Sequence, residues 1–242
     1  MIQHILHITH VSKHFGGNVA VSDVSFSVDE KEIFGLIGPN GAGKTTLFNC
    51  MTGFFPVTSG DIIFDSKKIN TLRPDQICRL GMVRTWQRVK PLGSLTVLEN
   101  VMIGAFSITN ATGEANIMAM EQLHAVGLSD YATKPAGSLP IGLKKKLELA
   151  RVLASRPKML LLDEICGGLN HTETDSILAI IRAVRNSGTT IVFIEHDMKA
   201  VTSICDRIVV LNSGEKLAEG TPEEITTNPA VIAAYLGGGH HA

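Results

Sequence analysis

A glycine-rich stretch near residue 40 constrains the fold of this chain more than any other feature. It follows the apolar segment Ile33–Ile37, which predicts a buried strand, and it precedes a helix expected to begin near Lys44. Its residues match the pattern G-x-x-x-x-G-K-[ST] with one further threonine: Gly38, Pro39, Asn40, Gly41, Ala42, Gly43, Lys44, Thr45 and Thr46. In such a loop the backbone N–H groups turn inward, and the helix N-terminus adds a positive dipole. The stretch therefore predicts a phosphate-binding loop.

A second motif, with two carboxylates, lies about 120 residues further along the chain. The apolar residues Met159–Leu162 predict a buried strand, and Asp163 and Glu164 follow at its carboxyl end. Open α/β sheets bind their ligands at this edge. We expect Asp163 to hold Mg²⁺ through its water shell and Glu164 to polarise an attacking water as general base. With Lys44 on the β- and γ-phosphates and the Thr45 hydroxyl on Mg²⁺, the motifs predict hydrolysis of a bound nucleotide.

Composition and charge narrow the class of protein further. The chain has 242 residues, 44% of them hydrophobic, which is ordinary for a folded globular protein. Its formal net charge of -1 gives no global attraction to nucleic acid, so no nucleic-acid partner is expected. No apolar run approaches the roughly 18 residues that cross a bilayer, so another chain must supply any membrane span. The four scattered cysteines lack metal-ligand spacing and are typical of buried thiols in a reducing compartment.

The C-terminal part of the chain alternates predicted strands with predicted helices. The strands are Met159–Asp163, Thr190–Glu195 and Ile208–Leu211, and the helices are Glu173–Asn186 and Asp197–Cys205. This βαβ rhythm predicts an α/β fold with a mainly parallel sheet.

The N-terminal and middle parts of the chain depart from this rhythm. Ile5–Thr9 and Val24–Val28 alternate in polarity, which predicts N-terminal antiparallel strands on either side of a glycine turn. Between residues 86 and 155 the spacing is helical and includes the capping box Thr96–Glu99. We therefore expect a single domain, 1–242, with a nucleotide-binding core of residues 1–85 and 156–242. A helical subdomain, residues 86–155, is inserted between the two parts of the core.

The order and spacing of these motifs resemble the P-loop ATPases of the ABC (ATP-binding cassette) family over nearly the full chain. The resemblance implies that the cofactors are ATP and Mg²⁺. It implies that Gln87 contacts Mg²⁺ or the attacking water, that His196 bonds the γ-phosphate and that Phe15 stacks on adenine. Gly168–Asn170 then lies where two cassettes meet in a nucleotide-sandwich dimer. Taken singly, Gln87 could be a solvated polar residue, Phe15 part of the core and His196 a helix cap.

A narrower resemblance is to the ATP-binding subunits of branched-chain amino acid importers, carried by the segments 84–87, 95–101, 168–170 and 194–198. It implies a second, non-identical ATPase, two membrane permeases and a substrate-binding protein as partners. It also implies a cytoplasmic location on the inner face of the membrane. ATPases of urea, amide and aromatic-compound uptake share these strings, and a family of lipopolysaccharide-export ATPases is also similar in sequence. A soluble ABC ATPase of translation or DNA repair is disfavoured, because the chain has one cassette and no long insertion.

The segment expected to carry the family signature, Leu-Ser-Gly-Gly-Gln, departs from it. It reads Leu139, Pro140, Ile141, Gly142 and Leu143. Proline has neither the hydroxyl nor the N–H with which the family's serine reaches the γ-phosphate held by the opposite subunit. Either the signature is weakened and the dimer has one strong and one weak ATP site, or Ser138 or the run Lys144–Lys146 compensates. Without such a role the lysine run is interpreted as a solvated helix face.

Overall fold

The computed structural model describes residues 4–86 and 91–237 of the chain. The strands within these ranges are β1 His4–Phe15, β2 Asn18–Asp29, β3 Ile33–Ile37, β4 Ser59–Phe64, β5 Lys67–Lys68, β6 Met82–Arg84, β7 Met159–Asp163, β8 Thr190–Ile194, β9 Arg207–Asn212 and β10 Glu215–Gly220. The α-helices are α1 Lys44–Met51, α2 Pro74–Leu80, α3 Val97–Ala105, α4 Thr112–Ala125, α5 Ile141–Leu153, α6 His171–Asn186, α7 Met198–Ile204, α8 Pro222–Thr227 and α9 Pro229–Gly237. Across these described ranges, no helix combines the length and the apolar character needed to span a membrane.

A six-stranded sheet in the order β10-β9-β3-β8-β7-β6 forms the centre of the molecule. Every neighbouring pair from β9 to β6 is parallel, and only β10 pairs antiparallel, at one edge. The prediction of an α/β fold with a mainly parallel sheet is confirmed. Since parallel strands end at the same edge, the carboxyl ends of β3, β7 and β8 lie side by side.

A second, antiparallel sheet has the order β2-β1-β4-β5. Strands β1 and β2 extend further than predicted, to Phe15 and from Asn18, because they continue past the apolar runs as far as the turn at Gly16 and Gly17. The prediction of N-terminal antiparallel strands is confirmed.

The two faces of the central sheet pack into two separate hydrophobic cores, because successive side chains of a strand point to opposite faces. In β7, Met159 and Leu161 pack with α1 and the antiparallel sheet, whereas Leu160 and Leu162 pack with the helices on the other side. In a strand, residues two apart share a face, so Asp163 faces the α1 side together with Leu161. The sheet geometry thus directs this carboxylate toward the loop that precedes α1.

The helices α3, α4 and α5 contribute their apolar faces to the core on the far side of the central sheet. The expected capping box at the start of α3 is present, with the Thr96 hydroxyl accepting from the Glu99 N–H and the Glu99 carboxylate accepting from the Thr96 N–H. Strand β10 was not predicted, because Glu215–Gly220 is a polar edge strand without apolar alternation. The short elements α2 and β6 and the terminal helix α9 were not predicted either.

Candidate nucleotide-binding site

The predicted phosphate-binding loop joins the carboxyl end of β3 to the first turn of α1. Gly43 is the N-cap of α1, with φ 99°, and Gly38 has φ 150°. A Cβ atom at Gly38 would lie 2.1 Å from the carbonyl oxygen of Leu211, and one at Gly43 would lie 2.5 Å from that of Ala20. Both positions therefore require glycine, for conformation and for space. The loop lies between β2 and β9, and it leads directly into the N-terminus of α1.

Lys44 folds back over this loop. Its ammonium donates to the carbonyl oxygens of Gly38, at 2.6 Å, and Pro39, at 3.0 Å. Burial lowers the pKa of Lys44, and the negative charges of Glu164 and Asp163 oppose that effect. The positive charge at the centre of the loop is thus held by two neutral carbonyl groups, a weak pairing that anionic phosphate oxygens would replace with a stronger one.

Asp163 lies at the end of β7 with only 1% of its surface exposed. Its Oδ2 accepts from the Arg84 guanidinium at 3.0 Å, and its N–H donates to the Thr85 hydroxyl at 3.2 Å. Burial raises the pKa of the Asp163 carboxyl, whereas Arg84 and then Lys44 lower it and the Glu164 charge raises it. Arg84 was not predicted as a partner of Asp163, because the two residues are 79 positions apart in the chain.

Glu164 and His196 come together at adjacent strand ends. Glu164 follows β7 and His196 follows β8 by two residues, and Glu164 Oε1 lies 4.0 Å from His196 Nδ1. Glu164 has a positive φ of 49°, a strained conformation for a non-glycine residue that is held by its N–H bond to the Ile194 carbonyl, at 2.9 Å. His196 is exposed and does not cap α7, since the N-cap is Asp197, whose side chain accepts from the Lys199 N–H.

An open pocket of about 430 Å³ joins several of the predicted site residues. Its lining residues are Phe15, Asn18, Val19, Ala20, Asn40, Gly41, Ala42, Gly43, Lys44, Thr45, Thr46 and Glu164. Phe15 is exposed rather than part of the core, and its ring packs edge-on against Phe55 with the Lys13 ammonium 4.8 Å from its centroid. One pocket thus brings together the accessible ring of Phe15, the predicted phosphate-binding loop and the carboxylate of Glu164. The β2 residues that line the pocket were not predicted as site residues.

Gln87 lies outside the described residues, and its expected role stays a prediction. The residue before it, Trp86, has its N–H bonded to the Glu148 Oε1 at 2.7 Å. Burial raises the pKa of Glu148, while the Trp86 N–H and then Arg151 lower it. Glu148 belongs to α5, so this helix is tied to the segment that leads to Gln87.

Within one chain, the signature segment does not line the nucleotide pocket. Pro140 is the exposed N-cap of α5 and supplies no side-chain cap, and Ile141 is also exposed. Leu139 is buried, and Leu143 and Gly142 line a separate pocket of about 230 Å³ beside α6. A Cβ atom at Gly142 would lie 2.4 Å from Glu173 Oε1, so α5 and α6 approach closely at this glycine.

Two of the neighbouring groups considered as compensation for Pro140 make hydrogen bonds within their own chain. The Ser138 hydroxyl donates to the Pro135 carbonyl at 2.7 Å. The prediction that Lys144–Lys146 is a solvated face is wrong for its middle member: Lys145 is 4% exposed, and its ammonium donates to the Glu164 carbonyl at 3.1 Å. Lys145 lies three positions after Gly142 and three before Glu148, both buried, so it shares their inward helix face.

The family of this chain follows from comparison with known proteins. The family model described as ABC transporter matches residues 21–167, more than half of the chain. A model described as branched-chain amino acid ATP-binding cassette transporter matches residues 215–241. The chain therefore belongs to the ABC transporter family.

Individual relatives match over nearly their whole length. The high-affinity branched-chain amino acid transport ATP-binding protein BraF of Pseudomonas aeruginosa is 43% identical over 253 residues, which cover 98% of this chain and 99% of BraF. The high-affinity branched-chain amino acid transport ATP-binding protein LivG of Escherichia coli strain K12 has the same identity and coverage. The solved ADP conformation of MJ1267, an ATP-binding cassette of an ABC transporter, superposes with a TM-score of 0.89 at 30% identity, covering 97% of this chain and 99% of MJ1267.

These similarities define the class of activity. The chain is a nucleotide-binding ATPase subunit of an ABC transporter, in which ATP hydrolysis is coupled to transport. A subunit of this class acts together with permease subunits.

Proposed function

We propose that this chain binds Mg²⁺-ATP in the pocket beside β2 and hydrolyses it to drive the uptake of branched-chain amino acids or related small solutes. The observation that carries the proposal is the lining of that one pocket, where Phe15, the loop through Lys44 and Glu164 meet. The cargo is inferred from relatives such as BraF and LivG, whose names give branched-chain amino acid transport.

Each side chain has a role that its surroundings support. The exposed ring of Phe15 stacks on the adenine base, and the loop Gly38–Thr46 donates its N–H groups to the phosphates. The Lys44 ammonium exchanges its two carbonyl partners for phosphate oxygens. Glu164, 4.0 Å from His196, accepts a proton from the attacking water, and His196 bonds the γ-phosphate.

The side chains proposed to hold the ion carry oxygen atoms, which are the ligands that Mg²⁺ prefers. The Thr45 hydroxyl, the Asp163 carboxylate and the Gln87 side chain would hold the ion, Asp163 through its water shell. A Mg²⁺ ion held by these residues would supply positive charge against the negative charge that develops during phosphoryl transfer.

The active unit is a dimer of cassettes, each of which completes the site of the other. Support comes from the separation within one chain, since Gly142 and Leu143 line a pocket that shares no residue with the nucleotide pocket. In this arrangement residues 1–85 and 156–242 form the ATP-binding core, and residues 86–155 form the helical subdomain that presents the signature segment to the partner.

The partner cassette is a second, non-identical ATPase, and the assembly includes two permeases and a substrate-binding protein. The altered residues Pro140 and Leu143 favour a non-identical partner, because a homodimer would have two weakened signature contacts. The cassette lies at the inner, cytoplasmic face of the membrane, where the segment around Gln87 passes motion to the permeases. No step in this function requires nucleic acid.

The hydrolytic role is tested with Glu164→Gln. ATP affinity, measured by titration, should stay within about twofold of wild type, and cleavage of bound ATP in single turnover should fall by roughly 10²-fold or more, because a positioned general base contributes that much. The control is Glu121→Gln, which changes an exposed residue on α4. Cleavage within about threefold of wild type in Glu164→Gln would refute the assignment of the base.

The non-identical partner is tested with the double substitution Pro140→Ser and Leu143→Gln. If the altered signature limits a homodimer, restoring one contact of about 1.4 kcal/mol in the transition state raises homodimer turnover by about tenfold. Turnover is measured at saturating ATP with dimer formation followed by light scattering. Fast wild-type hydrolysis that does not respond to the double substitution would remove the case for asymmetry.

A further inference from the structure

Arg84 connects the buried carboxylate of the nucleotide site to three other parts of the chain. It ends β6 beside Leu161, and, like Met82 two residues earlier, it faces the α1 side of the central sheet. This is the face to which Asp163 is directed. The Arg84 guanidinium is therefore brought to Asp163 Oδ2, at 3.0 Å, by strand register rather than by proximity in the chain.

The same guanidinium also bonds to the helix that follows the phosphate-binding loop. Its NH1 donates to Asn49 Oδ1 at 2.7 Å, and Nε donates to the Thr85 carbonyl at 3.2 Å. Asn49 belongs to α1, which begins at Lys44 and includes Thr45. Because the guanidinium is planar and its donors have a fixed geometry, it fixes the Asp163 carboxylate relative to α1.

Trp86 extends this connection to the surface. The Arg84 guanidinium carbon lies 4.5 Å from the centroid of the Trp86 ring, within the range of a cation–π contact. Trp86 is 46% exposed and packs edge-on against Phe54. It is the single tryptophan of the chain, so tryptophan fluorescence reports on the surroundings of this one position, of which the Arg84 guanidinium is a part.

We propose that Arg84 is a positioning residue that sets the orientation of the Asp163 carboxylate for Mg²⁺ and couples that orientation to the Trp86 ring. The inference rests on the proposed role of Asp163 at the Mg²⁺ site. A change at the carboxylate alters the position of the guanidinium, and the stacked ring changes its environment with it. Trp86, the residue before Gln87, therefore contacts the same guanidinium that holds Asp163.

The first test uses the unchanged, full-length chain. Trp86 emission is recorded on adding ATP with EDTA and then on adding Mg²⁺ in excess, while nucleotide binding is measured in parallel by calorimetry. We expect the emission to change when Mg²⁺ is added and to change little with metal-free ATP. An emission that is the same in both conditions, although calorimetry shows Mg²⁺-dependent binding, would overturn the coupling.

The second test compares Arg84→Lys and Arg84→Met with the control Arg79→Met, which changes an exposed arginine at the end of α2. Replacing a group that orients a metal-binding carboxylate typically costs 10–100-fold in metal affinity. We expect the Mg²⁺ concentration for half-maximal nucleotide binding to rise by about tenfold or more in both Arg84 variants and to stay unchanged in Arg79→Met. Metal-free ATP affinity should stay within twofold, which a general structural defect would not allow.

Arg84→Lys keeps the charge and carries this test if Arg84→Met does not fold. A half-maximal Mg²⁺ concentration within twofold of wild type in Arg84→Lys would refute the positioning role. Failure of the proposed Mg²⁺ site would give a different result. The unchanged chain would then show no gain in nucleotide affinity when Mg²⁺ is added.

Discussion

Replacing Lys145 by methionine tests how much one buried cation on α5 contributes to stability. Methionine keeps an unbranched apolar side chain and removes the ammonium, which donates to the Glu164 carbonyl at 3.1 Å. Burial lowers the pKa of Lys145, and Glu195, Cys166, Glu148 and Glu164 oppose that effect in this order. Two of these groups, the carboxyls of Glu148 and Glu195, are almost inaccessible to solvent.

The expected magnitude follows from these contacts. A hydrogen bond from a charged donor contributes about 1.5–3 kcal/mol, and two buried carboxylates lose a nearby cation. The loss is partly offset, because an ammonium no longer has to be transferred from water into the interior. We therefore expect Lys145→Met to lower the free energy of unfolding by roughly 2 kcal/mol at pH 8, toward the lower end of the range for that bond.

The assay is urea unfolding followed by far-ultraviolet circular dichroism, with a check that the slope against urea is unchanged. The matched control is Lys144→Met, one position earlier on the same helix, where the side chain is partly exposed. Surface substitutions of this kind usually change stability by less than about 0.5 kcal/mol. Equal free energies of unfolding for the two variants, within that margin, would refute the stabilising role of the Lys145 ammonium.

Three further predictions concern the nucleotide pocket and its supports. Lys44→Ala should reduce ATP affinity below detection in a titration with Mg²⁺, because alanine supplies no charge to the phosphates. Phe15→Ala should weaken ATP and GTP binding alike, by roughly tenfold, since stacking on a base contributes about 1–3 kcal/mol and discriminates poorly between purines; unchanged affinities would contradict a stacking role. Because burial raises the pKa of Glu148, the folded chain binds that proton more tightly than the unfolded chain, and stability falls as pH rises above the ordinary glutamate value. Glu148→Gln keeps an acceptor for Trp86 and should flatten this decline in urea unfolding curves recorded between pH 5 and about 8; an unchanged slope would contradict it.

Local patterns account for the parts of the fold that the sequence predicted well. The strand Met159–Asp163 was predicted to the residue, because four apolar residues between polar ends leave little choice of boundary. The helix start at Thr96 was predicted from a capping box whose two bonds involve residues three apart. In such cases the deciding contacts lie within one turn or one strand, so the sequence contains them.

The contacts that could not be predicted join residues that are distant in the chain. Arg84 and Asp163 are 79 positions apart, and they meet only because β6 and β7 are neighbours in a particular register. Lys145 lies in a run of three lysines, which predicts a solvated side chain. Its ammonium instead donates to the carbonyl of Glu164, 19 positions away and directly after β7. Periodicity identifies which residues share a helix face, but it does not identify what lies opposite that face.

Helix α5 connects the altered signature segment with Glu164 and Trp86 of the same chain. Pro140 is its N-cap, Lys145 bonds the Glu164 backbone, and Glu148 bonds the N–H of Trp86. These positions lie within about two and a half turns of one helix. In the proposed dimer, a displacement of the N-cap by the partner's nucleotide would therefore reach the carbonyl of Glu164, the proposed general base, and the N–H of Trp86 through the same helix. In that arrangement the signature segment would act on the partner's site through its N-cap residues and on its own site through Lys145, which would couple the two sites even where Pro140 weakens the direct contact.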